Sequence, residues 1–117
     1  MSRITVRVRI YFDSTLAIGP GRIELLEGVH RTGSLSQAAR EMGMSYRRAW
    51  LLMQSLNESL NSPASVAARG GRGGGGAIVT PSGRALIRMY RRTEARVGRN
   101  IRQRFEGFAR TGKARPG

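Results

Sequence analysis

Several chemically useful residues are almost missing from this sequence. Its 117 residues include no cysteine, one histidine and a single aspartate. The absence of cysteine excludes disulfides and thiolate metal sites. No carboxylate pair is spaced for acid–base work, and no His/Asp cluster is spaced for a metal. His30 falls at the end of a predicted helix, where it serves more often as a C-terminal cation than as a catalyst. We therefore expect no enzyme, no cofactor and no metal.

Long apolar runs are also missing. No stretch approaches the ~18 apolar residues of a membrane span, and the N-terminal "MSRITVRVRIYF" alternates apolar and basic residues, unlike a secretory signal. We expect a cytoplasmic, nucleoid-associated protein without a membrane partner. Hydrophobic residues make up 39% of the chain, enough for one small folded domain.

Negative charge is scarce. Seven acidic residues face 21 basic ones, a formal net charge of +14, and every basic residue except Lys113 is arginine. The planar guanidinium suits phosphate and guanine. This balance favours nucleic acid as the partner over a merely solvated basic surface or an anionic membrane.

The first third of the chain predicts a strand and a helix. Residues 4–12 alternate strictly between apolar and polar, which is typical of a half-buried strand. The stretch "DSTLAIGPG" (13–21) has the composition of a turn. A helix begins near Pro20 and ends at "RTGS" (31–34).

Two further helices, 34–42 and 45–60, are separated by the break "GMS". Ser34 is a plausible N-cap with Gln37 three residues later, as in a capping box, and Ser45 caps the second helix. Small side chains in the first helix allow the two helices to approach closely. The pattern predicts a helix-turn-helix whose second helix enters the major groove of DNA.

A helical wheel of the second helix predicts which side chains face DNA. Arg47 lies at the centre of the outward face and is the best candidate to meet base edges, whereas Arg48 at the border is expected to meet phosphate. Trp50 and Tyr46 fit core packing or a partly exposed groove contact equally well. The inward stripe is Ala49, Met53, Leu56 and Leu60.

The stretch "RGGRGGGGA" (69–77) separates two short strand candidates, 64–67 and 77–80. Two strands and a glycine loop directly after a recognition helix predict the wing of a winged helix, with its arginines on phosphate. A nucleotide-binding loop is disfavoured because no Lys-Ser/Thr follows, and a flexible linker is the remaining alternative. The candidate DNA contacts are Ser34, Ser36, Gln37, Ser45, Tyr46, Arg47, Arg48, Trp50, Gln54, Arg69 and Arg72.

A long helix, 81–108, begins with the N-cap pair Thr80 and Pro81. The apolar stripe of this helix extends farther than the rest of a compact domain can cover. We therefore expect a homodimer through this helix and the N-terminal strand. The alternative is a bend at Gly98 or Gly107 that folds the end of the helix back onto the domain. We predict one domain, 1–108, and a basic flexible tail, 109–117. The stripe comprises Leu86, Tyr90, Val97, Ile101, Phe105 and Phe108.

The runs "GSLSQAAREMGMSYRRAWLLMQSLN" and "GGRGGGGAIVTPSGRALIRMYRR" closely resemble the N-terminal domain of ModE-type molybdate-responsive regulators over about residues 4–97, and the helix-turn-helix is also similar to that of LysR-type regulators. The resemblance implies a mainly α winged-helix fold with a small β component, binding of double-stranded DNA, and dimerisation. The family's recognition positions correspond to Ser45, Tyr46, Arg47, Arg48 and Trp50. ModE-type regulators bind molybdate through C-terminal domains that would begin where this sequence ends, so we expect no molybdate on this chain.

Two functions follow from these patterns. The ordered motif favours a sequence-specific transcriptional regulator, whereas the charge spread over the whole chain favours a DNA-architectural protein of low sequence specificity. An RNA-binding role is weaker because an exposed aromatic platform is not evident.

Overall fold

A computed structural model describes residues 4–69 and 75–110. In this part of the chain, four α-helices accompany two separate two-stranded antiparallel sheets. The winged helix-turn-helix fold expected from the sequence is thereby confirmed. In chain order the elements are β1 (Ile10–Phe12), β2 (Thr15–Ile18), α1 (Pro20–Thr32), α2 (Leu35–Glu41), α3 (Tyr46–Glu58), β3 (Ser65–Ala67), β4 (Ala77–Val79), α4 (Pro81–Phe105) and a final 3-10 turn (Glu106–Phe108).

The N-terminal segment departs from the prediction. The expected strand over 4–12 is paired only at β1, and four of the nine residues of the expected turn over 13–21 form the partner strand β2. Asp13 and Ser14 connect the two with φ values of 51° and 73°, the positive values that a two-residue hairpin turn requires. The predicted alternation of burial does hold along residues 4–10. β2 has only four residues, and the polar residues before it and the glycines after it give the whole stretch the composition of a turn.

The core lies where α1, α2 and α3 meet. Each glycine predicted to end a helix does so in the left-handed region, with φ of 72° at Gly33 after α1 and 70° at Gly43 after α2. Helices α1 and α2 pack closely, because a Cβ built on Gly28 would lie only 2.9 Å from the Cβ of Ala38. The largest wholly buried apolar side chains are Ile23, Leu25, Leu26, Val29 and Leu56.

The second sheet forms the wing, with β3 and β4 paired in the register Ser65↔Val79 to Ala67↔Ala77. The backbone of the returning strand also bonds the turn before α2. Ala77 N donates to Gly33 O (3.1 Å), and Ser34 forms an isolated antiparallel bridge with Gly76. The wing is thus held against the start of the helix-turn-helix at its base.

Helix α4 begins as predicted. The Thr80 hydroxyl accepts from Gly83 N at 3.0 Å and donates to Pro63 O at 2.7 Å. Farther along, the buried Tyr90 donates its hydroxyl to the carbonyl of Val8; burial raises the pKa of this phenol. This contact ties the N-terminal segment to α4.

An ion-pair cluster joins α4 to α1. Arg91 donates to both carboxylate oxygens of Glu27, at 2.8 and 2.9 Å, and to Glu94 at 2.7 Å. The hydrogen bonds to Glu27 are the main reason that the pKa of Arg91 is raised above its ordinary value. A two-pronged contact of this kind fixes the angle between two helices better than a single surface pair does.

Helix α4 passes through Gly98 without a break. Its 25 residues span about 37 Å at about 1.5 Å per residue. Its end does not fold back as the alternative required, because the terminal Phe108 is 85% exposed.

Candidate nucleic-acid interface

The helix-turn-helix presents one face of α3 to solvent. Three residues of the predicted inward stripe are confirmed: Ala49 and Leu56 are fully buried and Met53 nearly so. The fourth, Leu60, is only partly buried, because α3 ends at Glu58. On the opposite side, Arg47 and Leu51 are exposed. The amide of Gln54 donates to the Glu58 carboxylate at 3.3 Å on the same face. The exposed face of α3 therefore carries two planar hydrogen-bonding groups, the guanidinium of Arg47 and the amide of Gln54.

Trp50 occupies the flank of α3 that faces the wing. Its side chain is 45% exposed, so it is a partly exposed residue rather than a core residue. Together with Tyr46 and Gln54 it lines a cleft of about 220 Å³ between α3 and the wing strands. Of the two alternatives for the aromatic residues, the structure favours the one that leaves them at the surface beside the helix's outward face.

The return leg of the glycine loop packs on these residues. Gly75 has φ of 62°, and a Cβ there would lie 3.0 Å from Tyr46 Cε1 and 3.4 Å from Ser36 Cβ. Its carbonyl accepts from Leu35 N at 2.9 Å. Both the positive φ and the close approach require glycine at this position. Ser36 and Tyr46 are thus brought together where the wing leaves the helix-turn-helix.

Two predicted contact residues, Ser34 and Ser45, cap helices. The hydroxyl of Ser34 accepts from Gln37 N at 3.0 Å, and that of Ser45 accepts from Arg48 N at 3.1 Å. Ser34 was expected to contact DNA, but its side chain is fully buried. It is buried because the wing backbone at Gly76 pairs with it. Gln37 accepts from Arg40 at 3.0 Å through its side-chain oxygen.

The wing arginines are only partly described. Arg69 is exposed just after β3, whereas Arg72, the middle of the glycine loop and the tail 111–117 lie outside the described residues. The predicted phosphate contacts of Arg69 and Arg72 therefore stay predictions.

Asn57 is a site residue that sequence reasoning missed. Its side-chain oxygen accepts from Ala64 N (2.8 Å), and its side-chain nitrogen donates to Ser65 O (3.2 Å). One amide thereby joins the last turn of α3 to the first strand of the wing. Its wheel position beside the inward stripe was the only signal, and a half-buried asparagine on a helix has many possible partners.

Other kinds of site were also considered. Among residues 4–69 and 75–110, no group of His, Cys, Asp and Glu side chains is arranged to hold a metal ion. Within the same ranges, no helix has both the length and the apolar character needed to cross a membrane.

Known proteins contain closely similar sequences. MopB of Rhodobacter capsulatus, a molybdenum-pterin-binding protein, is 48% identical over 82 residues, which cover 70% of this chain and 30% of MopB. ModE of Azotobacter vinelandii, a molybdenum transport protein, is 37% identical over 93 residues, 80% of this chain and 34% of that protein. The DNA-binding transcriptional dual regulator ModE of Escherichia coli K12 is 41% identical over 85 residues, 73% and 32% of the two chains.

These identities confirm the resemblance to ModE-type proteins. The chain spans about a third of the length of these relatives. A family model described as "Bacterial regulatory helix-turn-helix protein, lysR family" matches residues 21–84, which run from the start of α1 through the wing into α4. The chain therefore belongs to the lysR family of bacterial regulatory helix-turn-helix proteins.

Proposed function

We propose that this protein is a sequence-specific transcriptional regulator that places α3 in the major groove of double-stranded DNA and lays its wing on the adjacent phosphates. The observation that carries the proposal is the outward face of α3, where Arg47 and Gln54 are both exposed and Gln54 borders the cleft against the wing. A helix about 10–12 Å across fits a major groove about 12 Å wide.

Arg47 and Gln54 supply the chemistry of base reading. A guanidinium donates two parallel hydrogen bonds to the O6 and N7 of guanine, and a glutamine amide pairs with the N6 and N7 of adenine. The two lie about two helical turns apart along α3 and within ~20° of each other on the wheel, so they would meet different base pairs of one site. The bond from Gln54 to Glu58 is weak enough at 3.3 Å to be exchanged for a base.

The wing supplies contacts that do not depend on sequence. Arg69 extends from the end of β3, and Arg72 would add a second charge. Such phosphate contacts fix the orientation of the protein on the duplex, whereas base contacts specify the sequence. The Escherichia coli relative is named as a DNA-binding transcriptional regulator, which agrees with a role in binding DNA.

Selection of binding sites from a random duplex library tests the proposal directly. Duplexes enriched after several rounds should share a short motif. At physiological salt, bulk DNA should compete with that motif at least about 10³-fold less well. Enrichment without a common motif would refute sequence-specific binding.

That outcome would instead support a DNA-architectural protein. The formal charge of +14 on 117 residues favours this second function, because phosphate neutralisation alone gives tight binding that falls steeply with salt. The ordered recognition helix and wing are more than such a protein needs, and we therefore place the regulator first.

We further propose that the protein is a homodimer. At the end of α4, Phe105 is 48% and Phe108 85% exposed, with ring centroids 5.9 Å apart. They line a shallow apolar depression together with Ile101 and Ile4 of the N-terminal segment. A second copy of this surface would cover aromatic area that water otherwise contacts.

A dimer has a consequence for the DNA. Two recognition helices related by a two-fold axis read half-sites about 34 Å apart, so the selected motif should be an inverted repeat. Light scattering at tens of micromolar gives the mass, and a monomer mass would refute the dimer.

The absence of molybdate binding also stays a prediction, and calorimetric titration with molybdate tests it.

A further inference from the structure

A second cleft, which is basic, lies on the side of α3 away from the wing. It is formed where the N-terminal segment passes the start of α1, and it has a volume of about 430 Å³. Four arginines line it: Arg7 and Arg9 from the segment before β1, Arg22 from the first turn of α1, and Arg48 from α3. Glu24 is the one acidic residue in its lining. The cleft thus carries an excess of three positive charges.

These charges are poorly neutralised within the protein. The ion pairs found among the described residues join Arg31 to Glu41 and Arg91 to two glutamates, and none of them includes a cleft arginine. Arg22 donates through Nη2 to Ser55 at 3.3 Å. Its Nε is buried and has no hydrogen-bond acceptor among the described residues.

The start of α1 adds to the positive potential. Gly19 is the N-cap and makes no side-chain capping bond, and Pro20 occupies the first helical position. The free backbone N–H groups of the first turn and the helix dipole both favour an anion at this end. Gly19, Pro20 and Gly21 line the cleft, so the start of α1 borders the same space as the arginines.

The position of the cleft relative to α3 identifies its ligand. At about 100° per residue from Tyr46, the outward face centres near 110° and the wing-facing residues near 20°. The α3 residues of the cleft, Arg48 and Leu52, lie near 220° on the same wheel. The wing and the cleft therefore flank the outward face on opposite sides, at roughly equal angles.

We infer that this arginine cleft binds a phosphate of the DNA backbone that borders the major groove on the side opposite the wing. The inference rests on the proposed function, because it requires α3 in the groove. A major groove is bounded by two phosphate backbones about 12 Å apart. One backbone meets the wing, and the other meets Arg7, Arg9 and Arg48, so the recognition helix is clamped from both sides.

Replacement of Arg7 and Arg9 by glutamine tests the inference on the full chain. Both side chains are exposed, and Tyr90 bonds the backbone between them, so the fold should be retained. Each phosphate contact contributes about 0.9 to the slope of log K against log salt, and the R7Q/R9Q slope should be smaller by about one unit. Between 50 and 200 mM salt, wild type should therefore lose about three- to fourfold more affinity than the variant.

A matched control removes two charges elsewhere. Arg92 and Arg96 are exposed on α4 and lie outside the cleft, the helix-turn-helix and the wing. R92Q/R96Q should leave the slope at the wild-type value. An equal decrease in both variants would mean that net charge alone is responsible, and it would overturn the inference. An unchanged slope in R7Q/R9Q would also overturn it.

Two further measurements show whether the cleft binds a DNA phosphate or a small anion. The choice of duplex keeps the test of the cleft separate from the test of sequence-specific binding. Ethylation of individual phosphates on the duplex should interfere with wild-type binding at one position that becomes neutral in R7Q/R9Q. Calorimetric binding of inorganic pyrophosphate that depends on Arg7 and Arg9, with no change in the DNA slope, would assign the cleft to a small anion and refute the DNA contact. The slope is measured on a mixed-sequence duplex. It therefore tests the cleft even if site selection shows no sequence preference.

Discussion

The amide of Asn57 is the main polar link between the recognition helix and the wing, and Asn57→Ala should weaken both stability and DNA binding. The substitution removes the acceptor of Ala64 N and the donor to Ser65 O. Both residues are buried, Ala64 completely. The two backbone groups would lose their partner in a place that water reaches poorly.

The magnitude follows from this loss. A buried polar group left unsatisfied costs about 1–3 kcal/mol. Alanine regains about 0.5 kcal/mol in helix propensity over asparagine. We expect the free energy of unfolding to fall by about 1–3 kcal/mol, and the melting temperature of so small a domain to fall by about 5–20 °C.

Thermal unfolding followed by circular dichroism measures the effect. Gln54→Ala is the matched control for stability: it lies one turn earlier on α3, is exposed and bonds only Glu58 among the described residues, so it should change the free energy by less than about 0.5 kcal/mol. Below its melting temperature, N57A should bind every duplex less tightly, because the wing is no longer held beside α3. A decrease in stability no larger than that of Q54A would refute the reasoning.

Three further predictions concern DNA binding and assembly. Arg47→Ala should weaken binding to a selected site by about 1–3 kcal/mol and relax the preference at one base pair, as measured by fluorescence anisotropy on single-substituted duplexes; that loss is about 5- to 160-fold in Kd. Replacing Arg69 and Arg72 together by glutamine should lower affinity on all sequences alike and decrease the salt slope by about two units. Phe105→Asp with Phe108→Asp should convert a dimer to a folded monomer in light scattering, because two carboxylates cannot be buried at the apolar contact.

Each of these has an outcome that contradicts it. An equal loss on selected and random duplexes would make Arg47 a phosphate contact. A salt slope that stays at the wild-type value would mean that Arg69 and Arg72 do not touch DNA. A mass that is the same before and after the two aspartate substitutions would separate the Phe105–Phe108 surface from assembly.

Local signals made the helical part of the fold predictable. Ser34, Ser45 and Thr80 were recognised as N-caps from their place before apolar-periodic stretches, and each accepts the expected backbone N–H. Gly33 and Gly43 end their helices with positive φ. Such features involve residues three or four positions apart, so they are written in the sequence itself.

The hairpin was less predictable because a strand is defined by its partner. Residues 4–10 alternate in burial as a strand does, yet only β1 is hydrogen-bonded to a partner strand, because β2 has just four residues. The aromatic residues were undecided for a similar reason. Trp50 fits the core by its spacing, but the wing passes beside it and leaves an open cleft.

The sequence by itself determined the positive charge that favours a polyanionic partner, the helix-turn-helix and the likeness to ModE-type proteins, because charge, periodicity and capping are local or additive properties. Only the tertiary structure decided which residues from distant segments share a surface. Asn57 meets Ala64 and Ser65, and Gly75 meets Tyr46, because the wing folds back onto α3. The arginine cleft joins Arg7 to Arg48 across 41 positions of sequence. The periodicity of the sequence does not predict this proximity, because it depends on how the N-terminal segment packs against α4 and α1.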